Sequence, residues 1–301
     1  MNTCRTLLCA CLLVLAGAAG ADVAYVVTGI DDPLKSNVLS YLDALHPGGR
    51  TQIRAREFDR VLQDAIREAR EALRPYGYYS PTISGRVRRV TGGSPVFELV
   101  IDPGPPVRIT EAIFLVEGPG ANSRQIREWQ AQWPLRTGSI LNQSVWEEQK
   151  QRGIDIAESW GYLGAEYVTH TIEIDLEKNS AAINLVMNTG PRYLMGDIDY
   201  GEHVLRDGVV ENIPRFDPGD PYTSRLMSDF RTDLWTTGYF TDVDVTEQRR
   251  PDETPPRVDL KLDLETAKRT FLQGALGYGT DTDFRVNANW SRRPMSSRGD
   301  R

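Results

Sequence analysis

A tripeptide of glycine, tyrosine and a third apolar or aromatic residue occurs three times in this chain of 301 residues. The copies are Gly77-Tyr78-Tyr79, Gly161-Tyr162-Leu163 and Gly238-Tyr239-Phe240, and their glycines are 84 and 77 residues apart. Recurrence at a nearly fixed spacing indicates that the chain is built from repeated units, which constrains the fold more than composition does. The tripeptide alone is a weak signal, so the residues around each copy decide whether the units are related.

Each tripeptide follows a segment with helical periodicity. Before the first copy, apolar residues recur every three or four positions from Phe58 to Leu73, with charged residues between them. This spacing predicts an amphipathic helix of about four turns that ends at the glycine, which takes the left-handed capping conformation without steric cost. The corresponding faces before the other two copies are Trp146, Gly153, Ala157 and Trp160, and Leu226, Met227, Phe230 and Leu234.

After each tripeptide the periodicity changes from 3.6 to 2, which indicates two strands joined by a turn or loop. Each repeat also opens with a strand that ends in glycine, followed by a second, less regular helix. The predicted unit is therefore strand, helix, helix, strand, strand. The opening strands are Ala24 to Gly29, Ile113 to Gly118 and Ile198 to Gly201; the less regular helices are Pro33 to Leu45, Ser123 to Trp133 and Leu205 to Pro214; the strand pairs are 83–90 with 96–102, 168–176 with 182–187, and 241–246 with 258–264.

The first 21 residues are typical of a secretory signal. Arg5 precedes an apolar run from Leu7 to Ala19, and small residues precede a predicted cut before Asp22. The run is shorter than the roughly 20 residues that cross a bilayer as a helix. All cysteines of the chain lie in this segment, so the mature protein is predicted to fold without disulfides. They are Cys4, Cys9 and Cys11.

The sequence offers no recognisable catalytic or metal-binding constellation. The net charge is −7 without a basic cluster, which argues against nucleic acid as a partner. His46, His170 and His203 are far apart in sequence, and there is no Gly-x-Ser-x-Gly motif, so we predict no metal, no cofactor, no catalytic residue and no enzymatic activity. The tryptophans at positions 146, 160 and 235 are predicted to pack in cores.

From Thr270 onward, two segments alternate between apolar and polar residues, Leu272 to Tyr278 and Phe284 to Trp290. Such strands suit a position between lipid and an aqueous lumen. Two strands leave backbone groups unpaired in hydrocarbon, and a barrel needs at least about eight, so the sequence is interpreted as a truncated barrel. A soluble hairpin is the alternative interpretation.

The βααββ order, the tripeptides and the junctions Asp102-Pro103-Gly104 and Thr189-Gly190-Pro191 resemble polypeptide-transport-associated (POTRA) domains of the Omp85/BamA superfamily. Three such modules before a barrel are most similar to TamA-like subunits of translocation and assembly modules. The predicted fold class is α+β, with three tandem POTRA domains followed by the first strands of a transmembrane β-barrel. The predicted segments are 1–21 for the signal peptide, 22–105, 106–191 and 192–266 for POTRA domains 1 to 3, and 267–301 for the start of the barrel.

The resemblance implies where polypeptides bind. If the first strand of each module pairs with the third, the second strand lies at an edge, where an extended chain can add by main-chain hydrogen bonds. The alternative is that these strands only hold the module together. The resemblance also implies a barrel seam at the first barrel strand, where glycines weaken strand pairing. The candidate edge residues are Ile83, Gly85, Val87, Thr171, Ile172, Ile174, Val243 and Val245, and the candidate seam residues are Gly274, Gly277 and Gly279.

By the same resemblance, the protein is expected to assemble or translocate outer-membrane proteins. Its modules would lie in the periplasm of a Gram-negative bacterium and its barrel in outer-membrane lipid. The expected partners are a TamB-like protein anchored in the inner membrane and unfolded clients such as autotransporters. Two alternatives stay open: a periplasmic POTRA scaffold without insertase activity, and a barrel-linked hydrolase whose catalytic part lies elsewhere.

Overall fold

The computed structural model describes residues 23–45, 54–90, 94–201 and 208–266, together with the backbone of 270–279 and 283–292. The predicted signal peptide and the histidines at positions 46 and 203 lie outside the described residues. The described part contains three sheets of three strands, each accompanied by helices, and one sheet of two strands. The predicted α+β class with three repeated modules is confirmed.

The first module is a three-stranded sheet covered on one face by two helices. The sheet order is β1-β3-β2, with β1 parallel and β2 antiparallel to the central strand β3. The helix α2 turns Ala65, Ala69 and Ala72 inward, all fully buried, so that small side chains allow close packing of α2 in the core. The elements are β1 (Ala24–Thr28), α1 (Leu34–Leu45), α2 (Phe58–Leu73), β2 (Thr82–Arg88) and β3 (Val96–Asp102).

The second module has the sheet order β4-β6-β5 and an aromatic core. Phe114 packs against Trp129 and Trp133, with ring centroids 4.9 Å and 4.5 Å away, and Trp133 meets Trp146 at 5.9 Å. A Cβ atom at Gly153 would lie 2.4 Å from Trp129, which explains the glycine within the helix. The elements are β4 (Arg108–Glu117), α3 (Arg124–Ala131), α4 (Gln143–Ser159), β5 (Glu166–Asp175) and β6 (Ser180–Asn188).

The third module has the sheet order β7-β9-β8. Met227, Phe230 and Leu234 lie on one face of its described helix and fill the core, as their spacing predicted. The elements are β7 (Leu194–Asp199), α5 (Ser224–Thr236), β8 (Phe240–Arg250) and β9 (Arg257–Thr266).

Two predictions for these modules are wrong in part. The helix predicted from Leu205 to Pro214 is not formed at residues 208–214, which make turns; the residues before them lie outside the described part. Gly208 has a φ of +86°, and the Asn212 side chain donates to its carbonyl oxygen, so local polar bonding replaces helical bonding. Trp146 is buried as predicted, but Trp160 and Trp235 are 38% and 49% exposed: Trp160 follows the last residue of α4, and Trp235 lies next to the buried Leu234.

The two-stranded sheet consists of β10 (Thr270–Gly279) and β11 (Asp283–Arg292), paired antiparallel over their whole length. The two predicted strands are therefore present. None of the described helices is long and apolar enough to cross a membrane.

By their contacts, the residues divide into two compact units. One unit comprises the chain up to Thr110 with Thr137–Ser144 and Ile174–Ala181, so two segments of the second module group with the first. The other comprises Glu111–Arg136, Val145–Glu173 and the chain from Ala182. The predicted domain boundaries therefore stay predictions.

The repeated glycines cap their helices, and the first two also form joints. Gly77, Gly161 and Gly238 have φ values of +87°, +87° and +70°, the left-handed conformation that ends a helix. Within the first unit, the Val107 amide donates to the Gly77 carbonyl at 2.8 Å; within the second, the Tyr193 amide donates to the Gly161 carbonyl at 2.8 Å. The same backbone bond therefore follows the first two tripeptides.

Two further backbone bonds complete each joint at matching positions. Each runs from the turn before a module's second helix to its opening strand, and each lies within one unit. In the first joint they are Leu141 N to Val107 O at 2.9 Å and Gly138 N to Ile109 O at 2.7 Å; in the second they are Tyr222 N to Tyr193 O at 3.0 Å and Gly219 N to Met195 O at 2.8 Å.

Substitution of alanine for the joint glycines tests this geometry. A Cβ atom at Gly77 or Gly161 would lie 2.4 Å or 2.5 Å from the carbonyl oxygen of Leu141 or Tyr222, whereas at Gly238 it would meet nothing within 4 Å. All three changes carry the left-handed cost of about 1–2 kcal/mol. We expect Gly77→Ala and Gly161→Ala to destabilise the protein by a further ~1–3 kcal/mol, because the backbone must shift.

The measurement is the change in the free energy of unfolding between variants, obtained from the shift of the urea midpoint. Unfolding is monitored by circular dichroism. Gly238→Ala is the matched control, because it changes the same residue in the same conformation without the clash. Equal losses in all three variants would contradict the joint as described.

Candidate polypeptide-binding edges

The sheet orders place β2, β5 and β8 at an edge of their sheets, which is the arrangement expected from the resemblance. The third strand of each module is central, so the first strands, β1, β4 and β7, lie at the opposite edges. These second edges are not among the predicted binding edges. Each module therefore has two strands with backbone groups that no other strand of its own sheet pairs.

The candidate residues in β2 turn their side chains toward the core and offer only their backbone. Ile83 packs against the core cluster, and a Cβ atom at Gly85 would lie 2.8 Å from Leu62 and 2.9 Å from Leu99. In β8, Val243 packs against the core and Val245 is 6% exposed. In β5, Thr171 is exposed and Ile172 and Ile174 are half-buried. On the outward face of β2, a bound strand would therefore meet the side chains of the alternate residues Ser84, Arg86 and Arg88.

At the β8 edge, side chains hydrogen bond to the strand. Arg231 Nη2 donates to the carbonyl oxygen of Val245 at 3.1 Å and to Glu247 Oε1 at 2.9 Å, and the Tyr222 hydroxyl donates to Glu247 Oε2 at 2.8 Å. Burial, and then the hydrogen bond and negative charge of Glu247, raise the pKa of Tyr222 above its ordinary value. One of the candidate carbonyl groups is therefore already engaged by Arg231.

The face of the first sheet that is turned away from α1 and α2, here called the open face, carries an ionic cluster beside the β2 edge. Glu98 of the central strand lies opposite Arg86 of β2 and Val26 of β1. Arg86 Nε and Arg88 Nε each donate to one Glu98 oxygen at 2.6 Å. These hydrogen bonds, from Arg88 first and Arg86 second, hold the pKa of Glu98 below its ordinary value of 4.5.

Beside this cluster the open face forms an apolar hollow of ≈ 580 Å³. Val26 and Val100 are 42% and 54% exposed there. Because Val100 lies opposite Ser84 of β2, the hollow reaches the edge strand. Its lining includes Val26, Thr28, Ser84, Arg86, Glu98 and Val100.

The corresponding faces of the other two sheets differ in character. In the second module, Ile113, Leu115 and Val168 are exposed on β4 and β5. In the third, Asp244 of β8 lies directly opposite Asp263 of β9, and Asp242 lies opposite Glu265. Opposed like charges destabilise a strand pair, so this face favours a cationic neighbour. Among the described residues there is no group of three or more histidine, cysteine, aspartate or glutamate side chains placed to hold a metal ion.

Each of the three-stranded sheets has its third strand in the centre and its other two strands at the edges, as the resemblance to POTRA domains implied. Residues 24–103 match the family model described as POTRA domain TamA domain 1. For these residues, the predicted resemblance to a POTRA domain is therefore confirmed.

Solved structures of several POTRA-containing proteins are similar to this chain at low identity. BamA POTRA3-5 of Haemophilus influenzae is 17% identical, with 81% of this chain and 96% of that chain covered and a TM-score of 0.43. POTRA1-3 of Omp85 from Anabaena is 16% identical, with 82% and 95% covered and a TM-score of 0.31. CdiB from Acinetobacter baumannii is 14% identical, with 88% and 45% covered and a TM-score of 0.35.

The ionic cluster at β2 makes a prediction about titration. Because both arginines stabilise the Glu98 carboxylate, Arg86→Gln or Arg88→Gln should raise the pKa of Glu98 toward 4.5. A lowered folded-state pKa means that the stability contributed by this group is present above about pH 4.5 and is lost as pH falls through the folded value. Carboxyl-carbon NMR titration of the three proteins measures the pKa. A Glu98 value at or above 4.5 in the unaltered protein would contradict the cluster.

Proposed function

We propose that this protein is an outer-membrane protein assembly or translocation factor, whose periplasmic POTRA modules bind extended segments of unfolded clients by strand addition. The observation that carries this proposal is the topology: in all three modules the third strand is central and both others are edges. An edge presents a row of amide and carbonyl groups to a new strand. This mode of binding depends on main-chain hydrogen bonds and tolerates many sequences.

The partners follow from the same proposal. Clients are unfolded outer-membrane proteins, including autotransporters, and a TamB-like protein anchored in the inner membrane is the periplasmic partner. The hairpin of β10 and β11 begins a barrel in outer-membrane lipid. The match of the first module to a TamA POTRA family model supports this choice over a free-standing scaffold or a barrel-linked hydrolase.

Site-specific disulfide capture tests strand addition. The mature chain is predicted to lack cysteine, so single variants Ser84→Cys, Thr171→Cys and Asp244→Cys place one thiol on each of β2, β5 and β8. The probe is a peptide of roughly ten residues, about the length of a membrane strand, with alternating apolar residues and a central cysteine. Added strands bring opposed Cβ atoms to about 4.5–5.5 Å, so capture at the edges should be on the order of tenfold faster than at a surface helix.

Arg60→Cys is the matched control. The Arg60 side chain is 85% exposed in the same first module, but it lies on the helix α2 and not on an edge strand. The rate of mixed-disulfide formation is measured by mass spectrometry. Edge and helix variants with the same rate would overturn strand addition, and the edge strands would then have only a structural role.

The proposed seam has its own test. β10 contains Gly274, Gly277 and Gly279, and glycine lacks the side chain that stabilises a strand by packing. Replacing all three by valine should strengthen pairing in β10 and reduce client insertion by the full-length protein. Surface display of an autotransporter in cells is the readout, and membrane levels of the variant are the control. Unchanged display at equal protein level would remove these glycines from the proposal.

A further inference from the structure

We propose that the edge strands of the first and third modules select clients by opposite charge, and that β2 takes extended segments with acidic side chains at alternate positions. This inference rests on the proposed strand addition and adds a substrate class to it. Three observations on the open faces carry it: the arginines of β2, the apolar hollow beside them, and the carboxylates of the third module.

Arg86 and Arg88 lie on the same face of β2, two residues apart, with side chains 80% and 55% exposed. Both bind one carboxylate, that of Glu98, so the cluster keeps a net positive charge. The bonds to Glu98 use the Nε atoms, which leaves the terminal guanidinium nitrogens for further acceptors. A second carboxylate beside the edge is therefore the complementary ligand.

Strand addition places such a carboxylate in register. A new strand beside β2 presents alternate side chains on the open face, with Cβ atoms about 4.5–5.5 Å from those of Arg86 and Arg88. Two acidic residues separated by one position therefore face both arginines at once. The intervening residue of the bound strand points to the other face.

The hollow adds an apolar requirement at the next position of the same face. Ser84 lies two residues before Arg86, and its central-strand partner is Val100, which is 54% exposed. The residue of the bound strand opposite Ser84 lies at the rim of the ≈ 580 Å³ hollow. A long apolar side chain there extends over β2 toward Val100 on the central strand and removes part of its surface from water. The preferred segment therefore has two acidic residues and one apolar residue at successive alternate positions.

The β8 edge presents the opposite charge. Asp242 and Asp244 are exposed on this strand, and the central strand places Glu265 and Asp263 opposite them. Four carboxylates thus stand on this part of the face, with Lys261 as the next outward residue of β9, where the first module has two guanidinium groups and one carboxylate. An acidic segment is repelled at this edge, and a basic segment is attracted.

Binding of two matched peptides tests the selection. Both have roughly ten residues, the same apolar pattern and a central cysteine, with glutamates in one and lysines in the other at the alternate polar positions. Fluorescence anisotropy with the full chain at low salt gives the affinities. We expect the glutamate peptide to be captured by Ser84→Cys roughly fivefold faster than the lysine peptide, and the reverse order at Asp244→Cys. Added salt should reduce both differences.

Two sets of variants assign the effect to the cluster. Arg86→Glu with Arg88→Glu should reverse the preference at Ser84→Cys, while Glu98→Gln, which keeps the shape and removes the negative charge, should strengthen binding of the glutamate peptide. Arg60→Glu with Arg67→Glu on α2 is the control of equal charge change in the same module, and it should leave the preference intact.

The outcomes separate the two proposals. Capture of neither peptide at any edge overturns strand addition itself. Equal capture of both peptides at Ser84→Cys, or an equal effect of the control variant on α2, overturns charge selection and leaves strand addition standing. If the double arginine variant fails to fold, Glu98→Gln still tests the proposal. Weaker binding of the glutamate peptide by Glu98→Gln would contradict the role of the positive charge.

Discussion

A hydrogen bond between two main-chain groups, an amide and a carbonyl, holds each joint of this protein. The glycine that ends a module's second helix accepts it, at Gly77 from Val107 and at Gly161 from Tyr193. The glycine is in the left-handed conformation, and the close approach of the next carbonyl oxygen leaves no room for a Cβ atom. One residue therefore stops a helix and positions the strand that follows it. The third copy, Gly238, keeps the conformation without the close contact, which separates the capping role from the joining role.

The same strand order leaves the edges open. Parallel pairing of β1 with β3, and of β7 with β9, puts the last strand of each of these modules in the middle, so its first two strands are edges. Natural proteins usually protect exposed edges with charges or covering groups. Here the two edges are protected in different ways. Arg231 engages a carbonyl of β8, whereas the β2 edge has exposed arginines beside an apolar hollow. The modules share a topology and differ in the chemistry beside it.

Periodicity predicted what depends on local pattern. The helix α2, its buried face and the capping glycines are in the sequence, because an apolar stripe and a glycine at its end act over short distances. The helix predicted near Leu205 failed at residues 208–214, where the Gly208 turn and the Asn212 side chain satisfy the backbone locally. Trp160 was misplaced because α4 ends at Ser159, before it, and Trp235 because one residue around α5 separates it from the buried Leu234.

Contacts across strands were beyond prediction, because they need the register. Glu98 is twelve residues from Arg86 in sequence, and only the pairing of β2 with β3 brings them together. The alternation in β2 was a usable signal that was missed: if Ile83 and Val87 face the core, then Ser84, Arg86 and Arg88 must face outward.

Because the joints are made almost entirely of main-chain atoms, they place few demands on amino-acid identity. Apart from the two glycines of each joint, Gly77 with Gly138 and Gly161 with Gly219, any residue with an amide and a carbonyl in the right place can supply the bonds. Val107 and Leu141 at one joint stand where Tyr193 and Tyr222 stand at the other. Module surfaces are thus free to diverge in sequence while the connection between modules is inherited unchanged. The open face of the first module can therefore carry arginines, and that of the third module carboxylates, without a change in the joints.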